Sequence, residues 1–206
     1  METNKLLFHM THIKNLPSIL KNQELLAYSE MALRNTLYQD IANPRIQERR
    51  STTSIPLAPH GSLHEYVPFY FAARSPMLYS VLHNGTNQEE MVYLVTDTET
   101  IDRSGVPYLF TDGHAIMVIS EFYSDLTELN KIDWPLMEDP FWKDTEEDPD
   151  RKRRRQAEFL VHKKVPIQLF TGFAVINQLA KDRVEELLKN HQVNKPVGIR
   201  RHFYYK

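Results

Sequence analysis

Residues 150–165 read "DRKRRRQAEFLVHKKV": five consecutive basic side chains, Arg151 to Arg155, run into an apolar segment that carries one carboxylate, Glu158. In an extended segment side chains alternate, which sends Ala157, Phe159 and Val161 to one face and Gln156, Glu158, Leu160 and His162 to the other. The first set reads as core. Glu158 then has two readings: a half-exposed strand residue, the common fate of a strand glutamate, or a carboxylate on the floor of a cleft, placed for acid–base or electrostatic work. The basic run also has two. It is either a solvated loop balanced by Glu146, Glu147, Asp148 and Asp150, or a cationic rim that neutralises the phosphates of a polyanion.

Around this stretch, 206 residues with 41% hydrophobic and 11% aromatic content support one domain spanning residues 1–206. A net charge of −2 provides no global field for a polyanion, so any nucleic-acid contact has to come from a local patch. No apolar run approaches the roughly 20 residues a membrane span needs, and "METNKLLFHMTH" lacks the apolar core of a secretion signal. A cytoplasmic protein without membrane contact is expected. The absence of cysteine excludes disulfides, thiolate catalysis and thiolate zinc sites. The nine histidines form no HExxH and no closely spaced ligand set, so no metal is expected.

Strands are predicted at Leu6 to His12, Tyr66 to Phe71, "MVYLVT", "PYLFTDG", "AEFLVHKKV" and "LFTGFAVI", with "VGIRRHFYY" closing the sheet. Asn15 reads as the cap of a short helix "LPSILKN", and Pro44 starts a helix "PRIQERR" inside an otherwise loop-rich excursion from Leu26 to Arg50. Ser75-Pro76 caps "PMLYSVLH", and Gln178 to Asn190 places Ala180, Val184, Leu187 and Leu188 on one face. The segment Asp144 to Arg155, acidic and then basic, reads as an exposed loop. Without regular βαβ alternation, the fold class is mixed α/β (α+β) with largely antiparallel pairing.

Several smaller constellations are candidates. His9 and Thr11 share a strand face and can both bond one small polar ligand. Arg45 and Arg49 share a helix face with Arg50 about 100° away, and guanidinium forks suit pyrophosphates or carboxylates. Tyr70 and Arg74 combine an aromatic face with a cation, as single-strand binders do. "FTDGH" is a polar turn ending in His114. Each has an ordinary structural reading beside the functional one.

In order along the chain, "FHMTH", "IANPRIQERR", "HEYVPFYFAARSPMLY", "YLFTDGHA" and "RQAEFLV" resemble the DarT family of bacterial toxins, ADP-ribosyltransferases that act on DNA. The resemblance implies an ADP-ribosyltransferase fold: a split, mostly antiparallel β core with short flanking helices and NAD+ as co-substrate in its cleft. It implies catalytic roles for Glu158, Arg50 and His114. It assigns His9 and Thr11 to the nicotinamide and its ribose, with Asn15, Arg45, Arg49 and Arg50 completing the dinucleotide-binding set. Tyr70, Arg74, Ser75, Met77, His114 and the run Lys152, Arg153, Arg154 and Arg155 match the side facing a DNA strand. The implied partners are a single-stranded DNA substrate and an antitoxin with a macrodomain.

Cleavage between ribose C1 and nicotinamide develops positive charge on the sugar, for which a carboxylate is the complementary group. A thymine ring nitrogen also has to lose its proton, to His114, Arg50 or Glu158. An unpaired base reaches the anomeric carbon without the few kcal/mol that unstacking costs, which favours single-stranded substrate. Transfer to RNA or protein, or binding of single strands without catalysis, are the competing expectations.

Overall fold

In a computed structural model that describes residues 3–205, one eight-stranded sheet carries the fold. Its strands are β1 (Leu6–His12), β3 (Tyr66–Tyr70), β4 (Met91–Asp97), β5 (Tyr108–Thr111), β6 (Phe122–Tyr123), β7 (Glu158–His162), β9 (Gly172–Val175) and β10 (Val197–Ile199). Their spatial order is β10-β9-β4-β1-β3-β7-β5-β6, with β9 and β10 parallel and every other pair antiparallel. A small second sheet pairs β2 (Glu24–Leu26) with β8 (Lys164–Pro166).

The sheet is split in the middle. β1 matches β4 over its whole length, Leu6↔Asp97 to His12↔Met91, but meets β3 at the single pair Phe8↔Tyr70. Beyond that pair the strands diverge, leaving the wedge over which the cleft forms. The expected split, mostly antiparallel core is thus present, with the β10–β9 pair as its one parallel edge.

The helices are α1 (Leu16–Asn22), α2 (Tyr28–Leu33), α3 (Pro44–Thr52), α4 (Pro76–His83), α5 (Thr98–Ser104), α6 (Trp134–Glu138), α7 (Arg151–Arg154) and α8 (Gln178–Asn190). Ser75 caps α4 by accepting from Leu78 N–H at 3.2 Å, and Asn43 caps α3 by accepting from Arg45 N–H. On α8, Ala180, Val184 and Leu188 are buried as the periodicity requires.

Several expectations are corrected. Asn15 makes no side-chain cap; its amide donates to Thr11 Oγ1 and Gln39 O, and its Oδ1 accepts from Gln39 N–H at 2.6 Å. It clamps the excursion 26–50 to the end of β1. That excursion holds two helices, α2 and α3. The segment "AEFLVHKKV" breaks at Lys163, whose φ of 62° turns the chain from β7 into β8. The C-terminal strand stops at Ile199, and Tyr204 turns inward to donate to Met91 O and Ala174 O.

Both faces of β7 are covered. Phe159 and Val161 enter the main core, while Leu160 packs with Leu63, Tyr66 and Leu109 on the other side. Glu158 is therefore fully buried, and the half-exposed reading fails. The basic run is a helix and its C-cap rather than a solvated loop. Arg155, 2% exposed, donates to the carbonyls of Leu136, Asp139 and Arg74.

Candidate active site

Glu158 opens β7 directly across from Tyr70, which ends β3, so the carboxylate stands at the end of these two neighbouring strands, beside the split. Its backbone is fixed by Thr111 Oγ1, which accepts from Glu158 N–H at 3.1 Å and donates to Gly113 O at 2.6 Å. Its Oε2 accepts from Arg50 Nη1 at 2.7 Å, and its Oε1 accepts from the Ala115 N–H at 3.1 Å. His114 Nε2 lies 3.9 Å from Oε1, beyond hydrogen-bond reach but close enough for the charge to be felt. No sequence signal marks Ala115, because only its backbone is used.

The turn that aims His114 and Ala115 is held from below. Arg153 donates to Asp112 and Ser120 on the turn and to Asp150 at the start of α7, and its carbonyl accepts from His114 N–H. Gly113 makes room for it: a Cβ there would stand 2.3 Å from Arg153 Nη1.

Two clefts flank this carboxylate, which lines neither itself: Arg50 forms part of the wall of one and His114 part of the wall of the other. The first is lined by His9, Thr11, Asn15, Gln47, Arg50 and His64 among others, beneath α2 and α3. Tyr28 of α2 stacks on His64 at 4.1 Å, and His64 Nε2 bonds Gln47 Oε1 of α3, which fastens the excursion over the cleft. His9 Nδ1 lies 2.8 Å from Pro68 O. A carbonyl only accepts, so the ring carries its proton on Nδ1 and Nε2 is an acceptor. Burial lowers the His9 pKa to about 4 against the pull of the Pro68 carbonyl, and the ring is neutral at physiological pH. Among the described residues Arg50 Nη2 is buried without a partner, an unusual state for a guanidinium and a donor available to a bound molecule.

The second cleft is lined by Tyr70, Met77, His114, Lys152, Arg153 and Arg49 among others; Met77 borders both. Burial depresses the His114 pKa, with Glu158 opposing and Arg50, Arg49 and Lys152 assisting, so its imidazole stays unprotonated at neutral pH. Tyr70 donates its hydroxyl to Met77 Sδ at 3.5 Å.

The expected site residues divide accordingly. His9, Thr11, Asn15 and Arg50 converge on the first cleft. Arg49 instead faces the second, where it donates to Ile116 O at 2.9 Å, and exposed Arg45 lines neither. On the expected DNA side, Tyr70, Met77, His114, Lys152 and Arg153 line the second cleft, while Arg74, Ser75, Arg154 and Arg155 do not. Ser75 is buried as the α4 cap, and Arg154 is paired with Asp133 and Asp148. Arg151 pairs with Asp139. Among the described residues, Lys152 is the one member of the run whose side chain has neither an ion pair nor a hydrogen bond. The picture of five cations delivering a strand is corrected: aspartates and carbonyls occupy four of them.

A split antiparallel sheet with a shielded glutamate between one cleft roofed by two helices and a second, cation-edged one defines an ADP-ribosyltransferase, an enzyme that moves ADP-ribose from NAD+ to an acceptor. The family model "ssDNA thymidine ADP-ribosyltransferase, DarT" matches residues 8–205. A DNA ADP-ribosyl transferase of Thermus sp. (strain 2.9) is 37% identical over 205 residues, covering 97% of this chain and 95% of the relative. Structures of Thermus sp. 2.9 DarT superpose closely: the complex with ADP-ribosylated ssDNA has a TM-score of 0.91 at 36% identity, covering 98% and 96% of the two chains. The complex with NAD+ has a TM-score of 0.85 at 33% identity, covering 98% of each. A DNA ADP-ribosyl transferase–DNA ADP-ribosyl glycohydrolase fusion protein from Thermosipho africanus is 25% identical over 189 residues, covering 91% of this chain and 46% of the fusion. The chain belongs to the DarT family and is an NAD+-dependent DNA ADP-ribosyltransferase.

Among the described residues no group of three or more potential metal ligands occurs, and no helix is long and apolar enough to cross a membrane.

Proposed function

We propose that this chain, acting as a single domain, transfers ADP-ribose from NAD+ to a thymine ring nitrogen in single-stranded DNA, with Glu158 facing the reacting ribose. One observation carries the assignment: Oε2 of this buried carboxylate rests on Arg50, a wall of the first cleft, and Oε1 on the turn that holds His114, a wall of the second. A bond formed between molecules in the two clefts is made beside this group.

In the reaction the bond from ribose C1′ to the pyridinium nitrogen breaks, its electron pair leaving with neutral nicotinamide. Glu158 accepts a hydrogen bond from the ribose 2′-hydroxyl and sets negative charge against the oxocarbenium-like carbon, a contact stronger in the transition state than in bound NAD+. Arg50 shifts to let that hydroxyl reach Oε2, and its second amino group binds a pyrophosphate or base oxygen. His9, through its acceptor Nε2, and Thr11 hold the nicotinamide ribose. The thymine nitrogen attacks C1′ and gives its proton to the neutral His114 imidazole. Tyr70 and Met77 offer surface to the base, and Lys152 a charge to its phosphate.

By analogy with the fused glycohydrolase of the Thermosipho relative, the partner is a macrodomain antitoxin that removes the modification, and the chain acts as a cytoplasmic toxin. Incubating purified protein with NAD+ and oligonucleotides that differ in one base tests the reading by mass spectrometry. The thymine-containing strand should gain one ADP-ribosyl unit with stoichiometric nicotinamide, and Glu158→Ala should gain none. Unmodified DNA from folded wild-type protein would refute it.

A further inference from the structure

The second cleft continues into a shallower groove along α4. Pro76, Ser80, Asp144 and Lys152 line both; beyond them the wall is Tyr79, His83, Trp142 and Lys143. The side chains form an ordered aromatic bank. Tyr79 and His83, one helical turn apart, lie with ring centroids 3.8 Å apart at 30°, and Trp142 meets Tyr79 edge-on at 5.6 Å. His83 Nδ1 is 2.8 Å from Tyr79 O, which fixes its ring, and among the described residues its Nε2 has no hydrogen-bond partner. Trp142 donates to the Tyr205 hydroxyl, which donates to Ser75 O, so the bank is tied to the start of α4.

The charges point the same way. Lys143 and Lys152 are exposed, Lys143 Nζ lies 5.6 Å over the Tyr79 ring, and among the described residues neither ammonium has a carboxylate partner. Asp144 in the groove floor already accepts from Lys152 N–H. Arg151, Arg153 and Arg154 beside them are paired with aspartates, so these two lysines, together with Arg49 on the far wall of the second cleft, are the cations the surface offers next to the acceptor site.

We infer that this groove binds the nucleotides flanking the acceptor in the same single strand, with phosphates on Lys152 and Lys143 and a base against the exposed His83 ring. Unpaired bases offer their faces to such a bank whatever their sequence. The inference rests on the proposed DNA acceptor, and extends it from one nucleotide to a strand path with a direction.

The test is a set of thymine-containing oligonucleotides extended step by step on one side of the acceptor, then the other. With wild-type protein, KM should fall on extension toward one end only. In the His83→Ala/Lys143→Gln variant, KM for the long strand should rise about tenfold, within the range expected for losing one base stack and one phosphate. The slope of log KM against log salt should flatten by about 0.7, the single-strand value for one cation. Turnover of the shortest substrate and nicotinamide release without DNA should not change. A wild-type KM independent of length, or a variant that keeps the full benefit of extension, overturns the groove alone. Failure to modify any oligonucleotide would sink the acceptor assignment and the groove together.

Discussion

Replacing Glu158 by glutamine removes one negative charge and leaves the side chain's shape, so its two consequences can be worked from the contacts it makes. The amide oxygen can keep the bond from Ala115 N–H, at 3.1 Å in the parent protein. The amide NH2 then faces Arg50 Nη1 across 2.7 Å, donor against donor. Arg50 is 9% exposed and its Nη2 already lacks a partner among the described residues, so the guanidinium is left buried without an acceptor there. Removing one member of a buried pair costs roughly 3–5 kcal/mol. Arg50 can turn toward the cleft it lines, which argues for the lower end, about 3 kcal/mol, or a Tm lower by about 6–12 °C for a chain of this size. Catalysis should suffer more: losing an aligned charge opposite the developing cation lowers nicotinamide release by at least about 100-fold. Arg50→Met added to Glu158→Gln removes the stranded cation, so the double variant should recover stability without recovering activity. Nicotinamide release by chromatography and thermal unfolding monitored in parallel check both effects. Release by Glu158→Gln within tenfold of wild type, or a double variant less stable than the single, would refute the reasoning.

Other outcomes follow from the same geometry. The unfolded chain protonates His9 near the ordinary value of about 6.5, whereas the folded protein does so only near 4. The unfolded state therefore binds more protons between those values, and stability measured by urea titration should decline as pH falls from 6.5 toward 4, by at most about 3 kcal/mol; a flat profile would count against a neutral, partly buried ring. His114 must be unprotonated to take the base proton and its pKa lies below the ordinary histidine range, so the acid limb of kcat/KM should fall below pH 6.5, and a limb above it would remove His114 from that role. Ser75→Ala should cost about 1 kcal/mol of stability through the lost α4 cap, with KM for DNA unchanged, because the hydroxyl is buried on Leu78 N–H. Arg155→Met strands the carbonyls of Leu136, Asp139 and Arg74 and should lower stability by roughly 3 kcal/mol, reckoned at about 1 for each, and a soluble variant with wild-type Tm would argue against that anchor.

Much of the site was legible because its chemistry and its local structure share the same residues. The Ser75-Pro76 signal opens α4, the alternation of "LLFHMTH" puts His9 and Thr11 on one face, and the motif around Glu158 places the carboxylate at the head of a strand. The excursion 26–50 was harder: α2 has no buried residue, so no apolar period announces it, and it is held by the Tyr28–His64 stack and by Asn15 on Gln39. Asn15 looked like a cap because helix signals are local, yet its amide satisfies backbone groups 24 positions away.

From the amino-acid order alone came the strands and helices with strong periodicity, the family, and a carboxylate set behind a row of cations. Tertiary structure alone decided what those charges do. Arg50 reaches Glu158 across 108 positions, aspartates from three segments cancel most of the basic run, and Arg155 vanishes among carbonyls. A chain records which charges it carries, but their effect depends on distance and on water excluded between them, and both are set by parts of the chain that meet only when it folds.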